Sequence, residues 1–203
     1  MRATAPGQSA LLLLDVIGLL NKHRIPYAII GAFAASFYGR VRASLDADAV
    51  ISIRAPQEAI NLCQDLLNQG LQVDQRRGDR EDPIAGVIHI RDLFHNRVDL
   101  LLGIRGMRQE VFHRAEETQF MGSSIKIVSL EDFIALKLFA GGPKDIQDVV
   151  GVLEVSNNKI DSGLLKELSA QYGKECTTRL DALFKNHPQR GKLSENKRDP
   201  LKE

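Results

Sequence analysis

The chain has 203 residues, 43% of them hydrophobic and 26% charged, with a formal net charge of +1. That length suits one substantial domain, or a compact domain with a small helical companion. The near-neutral balance argues against a whole-protein electrostatic grip on nucleic acid, though a local patch stays open. No Trp is present and aromatics make up 5%, a poor basis for a base-stacking platform. Cys63 and Cys176 lie far apart and outside any CxxC spacing, so neither a disulfide framework nor a zinc site is expected. Asp15 interrupts the leucine run Leu11–Leu14, and no stretch approaches the ~20 apolar residues of a membrane span. A cytoplasmic protein without membrane contact is expected.

Leu11–Asn21 carries apolar residues at helical spacing, and Pro26 closes that segment. Tyr27–Ile30 is a short β-prone run ending at Gly31. Phe33–Tyr38 reads as a short helix stopped by Gly39. Ala47–Ile53 predicts a strand, Pro56–Asn68 a helix with Pro in its first turn, and Leu71–Gln75 a further strand. Arg76–Asp82, all charge and glycine, predicts a solvated loop. Gly86–Arg91 and Arg97–Leu102 predict an antiparallel hairpin. Then come a helical stretch at Arg108–Ala115 and strands at Gln119–Met121 and Ser124–Val128, with a turn at Gly122-Ser123. From Ser129 the pattern is helical only: one helix from the Ser129 cap to Gly141, another from Pro143 to about Leu153, and two more at Ser162–Tyr172 and Cys176–Phe184. The polar stretch from Asn186 is expected to be disordered.

The informative stretch runs from Tyr27 to Ile53. A strand that ends in glycine and turns at once into a helix gathers free backbone N–H groups at Gly31, Ala32 and Phe33, which suits a phosphate. The next strand opens with Asp46 and Asp48, two apart and so on one side of it. Hard cations such as Mg²⁺ favour carboxylate and phosphate oxygens. Asp99, flanked by Val98 and Leu100 on a predicted central strand, needs a partner or a cation there. Placed beside the Asp46/Asp48 strand, it completes a three-carboxylate cluster able to hold divalent ions for phosphoryl displacement. Without a cation, three like charges in one place should repel. His89, His95 and His113 lack metal spacing and are expected at the surface or in satisfied hydrogen bonds.

Gly31 before a short helix, then Gly39, Arg42, Ser44, Asp46 and Asp48, resembles the nucleotidyltransferase superfamily related to DNA polymerase beta. It is similar in particular to a small bacterial branch that includes AbiEii-type toxins and minimal nucleotidyltransferases, with their R-x-T-x-D-[IL]-D run. The segment Ser129–Lys137 and the later Lys144–Asp148 look like that branch too, so the resemblance covers about residues 10 to 155. Ala32 departs from the usual second glycine or serine, and Ala47 from a bulkier aliphatic residue. The resemblance implies an α+β fold in which a mixed sheet flanked by helices precedes a small helical region. Its expected boundaries are 1–128 for the core, 129–185 for the helices and 186–203 for the tail.

The same resemblance implies that Asp46, Asp48 and Asp99 bind Mg²⁺ or Mn²⁺ and act catalytically, Asp99 beside the acceptor hydroxyl. Gly31, Ala32, Arg42, Ser44 and Lys137 are the implied nucleotide contacts. Arg42 has two readings, phosphate contact or carboxylate partner, and Lys137 two, triphosphate contact or solvated helix lysine. Asp145 and Asp148 either orient Lys137 or an arginine as an outer layer of the site, or are ordinary surface charges or a helix cap near Pro143. The implied activity moves a nucleoside monophosphate from an NTP to a hydroxyl on RNA, protein or a small molecule. The rival reading is a weak or inactive binding module, for instance an antitoxin, with a small partner protein or a second copy as its ligand. A DxD phosphatase or glycosyltransferase fits worse, because the apolar run here follows the aspartates.

Overall fold

The computed structural model describes residues 3–41, 43–155 and 160–186. The chain groups into two compact units, Met1–Ser129 and Leu130–Glu203.

The first unit is built on one mixed sheet of seven strands: β1 (Tyr27–Ile30), β2 (Asp46–Ile51), β3 (Gln72–Arg77), β4 (Ile84–Arg91), β5 (Arg97–Ile104), β6 (Glu116–Phe120) and β7 (Ser123–Ile127). Their spatial order is β3-β4-β5-β2-β1-β7-β6. The pairs β2/β5 and β1/β7 are parallel, and the other neighbours are antiparallel. Four helices accompany the sheet: α1 (Ser9–Lys22), α2 (Gly31–Phe37), α3 (Pro56–Asn68) and α4 (Glu110–Arg114). Helix α1 packs on α3 and on β2, β5 and β7, while α2 lies on β1 and β2. The core of this unit is aliphatic: Leu12, Leu13, Val16 and Leu20 of α1 are buried, and so are Ala49, Val50, Ile90 and Leu100 of the sheet.

Several punctuators of the sequence bound elements. Pro56 opens α3, where its fixed φ and missing N–H are harmless, and Gly70 follows its end at φ +79°. The hairpin β6/β7 turns at Met121 and Gly122, with φ of 49° and 78°. Two positive φ values mark the mirror-image turn that suits the strand twist, placed one residue earlier than expected. The charged segment after Gln75 also differs from expectation. Arg76 and Arg77 pair with Val87 and Gly86, so β3 runs two residues further.

Helix α1 ends unusually. His23 and Arg24 close it, Ile25 N–H bonds to Leu20 O at 2.9 Å, and Arg24 takes φ 55°. This left-handed position is one that glycine fills at no steric cost. Arg24→Gly is therefore expected to stabilise the fold by up to about 1 kcal/mol, read as a rise in melting temperature.

The described residues of the second unit form helices: α5 (Leu130–Ala140), α6 (Pro143–Val155), α7 (Ser162–Gln171) and α8 (Lys174–Asn186). Helix α5 is its centre and packs on the other three. Its Phe133, Ile134, Ala135 and Leu138 are all buried, as an almost wholly apolar helix requires. The Arg179 guanidinium closes the C-terminus of α5, donating to Leu138 O at 2.8 Å and Phe139 O at 3.2 Å. Asp161 caps α7 by accepting from the N–H groups of Gly163 and Leu164, both at 2.9 Å. Helix α8 includes Asn186, and the expected tail beyond it lies outside the described residues. Among the described residues no helix is long and apolar enough to cross a membrane.

Candidate active site

Strand register assembles the site. In the parallel pair β2/β5, Asp48 stands opposite Asp99, and Asp46 opposite Arg97. In the hairpin β4/β5, His89 stands opposite Asp99. Residues opposite one another share a face of the sheet, so Asp48, Asp99 and His89 form one row across three strands. Asp46 and Arg97 lie in the neighbouring row on the same face. The serine hydroxyl of Ser9 ties the beginnings of these strands together. It donates to Leu45 O at 2.6 Å and accepts from Arg97 N–H at 3.1 Å.

Asp99 is buried, at 8% exposure, and both its carboxylate oxygens accept hydrogen bonds. Arg97 grips it with two bonds, Nε to Oδ1 at 2.8 Å and Nη2 to Oδ2 at 2.5 Å. His89 Nδ1 lies 2.8 Å from Oδ1. Burial, the largest single influence, pushes the Asp99 carboxyl up. The hydrogen bonds from Arg97 and His89, with their charges, outweigh it and hold the group below its usual range. The expected mutual repulsion of the three carboxylates is thus partly offset within the protein. A carboxyl whose folded pKa is depressed gives stability above its unfolded pKa and loses it as pH falls through the folded value. Wild type should therefore lose melting temperature more steeply below about pH 4 than Asp99→Asn does, in melts taken at stepped pH.

Asp46 and Asp48 are more open. Ser44 Oγ donates to Asp46 Oδ1 at 2.5 Å, so the serine expected at a nucleotide braces a carboxylate. Asp48 lies against Gly31, the first residue of α2. A methyl group on Gly31 would stand 2.2 Å from Asp48 Oδ2, and the backbone there has φ +68°. Position 31 thus has to be glycine on two counts, conformation and room for the carboxylate. Ala32 is buried at 4% exposure, with its side chain in the core. The position of Arg42 lies outside the described residues.

One carboxylate oxygen from each of Asp46, Asp48 and Asp99 lies within 4.8 Å of the others. Two oxygens on a single Mg²⁺ are at most about 4.2 Å apart. Such a span suits one hard cation after a small rotamer adjustment, or two cations sharing the cluster. An all-oxygen, all-carboxylate donor set fits Mg²⁺ or Mn²⁺ and not a soft metal. A cavity of about 420 Å³ opens beside Asp46, lined by Ser44 and by Ala32, Phe33, Ser36 and Phe37 of α2.

In the helical unit, Lys137 is not a solvated lysine. Its ammonium meets Asp145 Oδ1 at 2.8 Å and Asp148 Oδ2 at 2.9 Å, and its side chain is 11% exposed. The two carboxylates three apart on α6 therefore hold this lysine on α5.

Comparison with known proteins follows the same line. A family model described as "Nucleotidyl transferase of unknown function (DUF2204)" matches residues 90–183, which include Asp99 and Lys137. No significant match is found among curated proteins. Among solved structures, the solution structure of the antibiotic-resistance factor ANT(2'')-Ia is similar with a TM-score of 0.56 at 16% identity, over 90% of this chain and 97% of that one. An antigenic nucleotidyltransferase-like protein from Paracoccidioides brasiliensis gives a TM-score of 0.55 at 18% identity, over 92% and 91% of the two chains. The chain thus shares the fold of these nucleotidyltransferases. A complex of ANT(2")-Ia with adenylyl-2"-tobramycin is also similar, with a TM-score of 0.54 at 14% identity, over 81% of this chain and 96% of that one.

Within this nucleotidyltransferase fold, sequence reading missed that Arg97 and His89 both bond to Asp99. Both signals were present. Arg97 lies two before Asp99 and so shares its strand face, and a tight β4/β5 hairpin brings His89 opposite.

Proposed function

We propose that this protein is a divalent-metal-dependent nucleotidyltransferase that moves a nucleoside monophosphate from an NTP to a hydroxyl acceptor. The observation that carries the reading is the row of Asp46, Asp48 and Asp99 on adjacent strands of a nucleotidyltransferase fold. In the reaction, the acceptor oxygen bonds to the α-phosphorus while the bond to pyrophosphate breaks. The three aspartates would hold the cation, which when bound offsets the charge of the phosphate oxygens. Asp99, held below its usual pKa, is better suited to keep a cation than to store a proton. Arg97 and His89 position that carboxylate. Gly31 leaves Asp48 room, and Ser44 orients Asp46. Lys137, kept in place by Asp145 and Asp148, is our candidate for a phosphate contact made by the helical unit. RNA, protein and small-molecule hydroxyls all remain acceptor classes under this reading, acting in the cytoplasm.

Three carboxylates are too few ligands for a closed Mg²⁺ cage, so cation and triphosphate should each complete the other's site. A melting matrix of apo protein, Mg²⁺, NTP and both tests this. The pair together should stabilise by about 2–3 kcal/mol near a hundredfold excess over Kd, well above the sum of the separate effects. An additive matrix would favour the binding-module reading instead. Incubation with each labelled NTP, Mg²⁺ and a cell extract then locates the acceptor by where the label goes.

A further inference from the structure

A second cavity, of about 650 Å³, opens at the other end of the sheet from the aspartates. In the β1/β2 pair, Ile30 stands opposite Asp48 at one end and Tyr27 opposite Ile51 at the other. Tyr27 and Ser52 line this cavity, so it begins about 13 Å along the strand from Asp48. Its volume falls in the range of small-molecule sites.

The chemistry of its lining is one-sided. Arg24, Arg54 and Lys126 stand around the opening together with the imidazole of His113, and no carboxylate is among the lining residues. Among the described residues, none of these three cations forms an ion pair. Glu117 stands opposite Lys126 in the β6/β7 hairpin and accepts from Ser124 Oγ, and Glu58 accepts from the Arg54 N–H at 2.8 Å. The charge among the lining residues themselves is positive. Below them the floor is apolar and aromatic, with Tyr27 3% and Phe112 8% exposed. Arg24 adds an independent sign. It holds a left-handed backbone position where glycine would be easier, so its side chain is present at a conformational cost.

We propose that this cavity is a binding site for a small phosphorylated ligand of mononucleotide size, separate from the aspartate row. The guanidinium and ammonium groups at the opening meet the phosphate, Arg offering paired donors to its oxygens. The aromatic floor takes the ring. Binding here needs no cation, in contrast to a triphosphate at the aspartates, where three carboxylates meet it. The site stands whether or not the aspartate row transfers nucleotides.

The test measures binding of AMP, inorganic phosphate and adenosine in EDTA by calorimetry, with wild-type protein and with Asp48→Asn. The expected result is saturable AMP binding of equal strength in both proteins, weakened by added salt, with adenosine and inorganic phosphate each binding at least about tenfold more weakly than AMP. Arg24→Gly and Arg54→Ala should each weaken AMP at least about tenfold. Because Arg24→Gly should melt no lower than wild type, its loss of binding cannot be laid to unfolding. Absence of saturable AMP binding below about 10 mM, adenosine bound as tightly as AMP, or unchanged affinity in both arginine variants would each overturn the proposal.

Discussion

Asp48→Asn is expected to lower nucleotide transfer by about 10²- to 10³-fold or more, with the fold retained. Asp48 lies between β5 and β1, opposite Asp99 on one side and Ile30 on the other. Asparagine keeps the shape that fits against Gly31 but removes the charge that a cation needs. The melting temperature in metal-free buffer should change little, because Asp48 is only partly buried and loses a like-charged neighbour's repulsion along with its own charge. Asp99→Asn is the informative contrast. That change leaves the Arg97 guanidinium facing a neutral amide in a half-buried place, so it should cost stability as well as activity. Turnover with labelled NTP at saturating Mg²⁺, beside thermal melts of both variants, separates the two effects. An Asp48→Asn protein within tenfold of wild type would remove Asp48 from the catalytic machinery.

Much of this site was legible because its signals are local. Tyr27–Ile30 and Pro56–Asn68 have the bounds that Pro26, Gly31, Pro56 and Gly70 suggest. The spacing of Asp46 and Asp48 put both carboxylates on one strand face, and the apolar neighbours of Asp99 placed it on an inner strand. What was not legible depended on partners distant in sequence. Arg76 and Arg77 extend β3 through backbone pairing with β4, on an edge whose exposed side chains leave no hydrophobic alternation to read. The solvated reading of Lys137 failed for a similar reason. An ammonium on one helix and two carboxylates on the next meet only once α5 and α6 pack together. The cavity at Arg24, Arg54, His113 and Lys126 draws on segments that nothing in the chain marks as neighbours.

Gly31→Ala should damage fold and site together, and the two losses can be told apart. At φ +68° an alanine pays about 1–2 kcal/mol for the left-handed backbone alone. Its methyl would also stand 2.2 Å from Asp48 Oδ2, 3.0 Å from Cγ and 3.2 Å from Cβ. The first contact can be relieved by rotating the carboxylate. The contact to Cβ cannot, because that atom is fixed to the β2 backbone, so either the strand or the start of α2 has to move. A total cost of about 2–4 kcal/mol is expected, which for a chain of this size lowers the melting temperature by roughly 5–15 °C. The double-mutant cycle with Asp48→Ala isolates the steric part. With the carboxylate trimmed away, Gly31→Ala should cost only the backbone strain, about 1–2 kcal/mol. The single variant should also lose the joint response to Mg²⁺ and NTP even at temperatures where it is fully folded, since Asp48 has been turned out of the row. If Gly31→Ala costs the same with and without the Asp48 carboxylate, that side chain does not occupy the space over Gly31, and the geometry of the row as drawn is wrong at its centre.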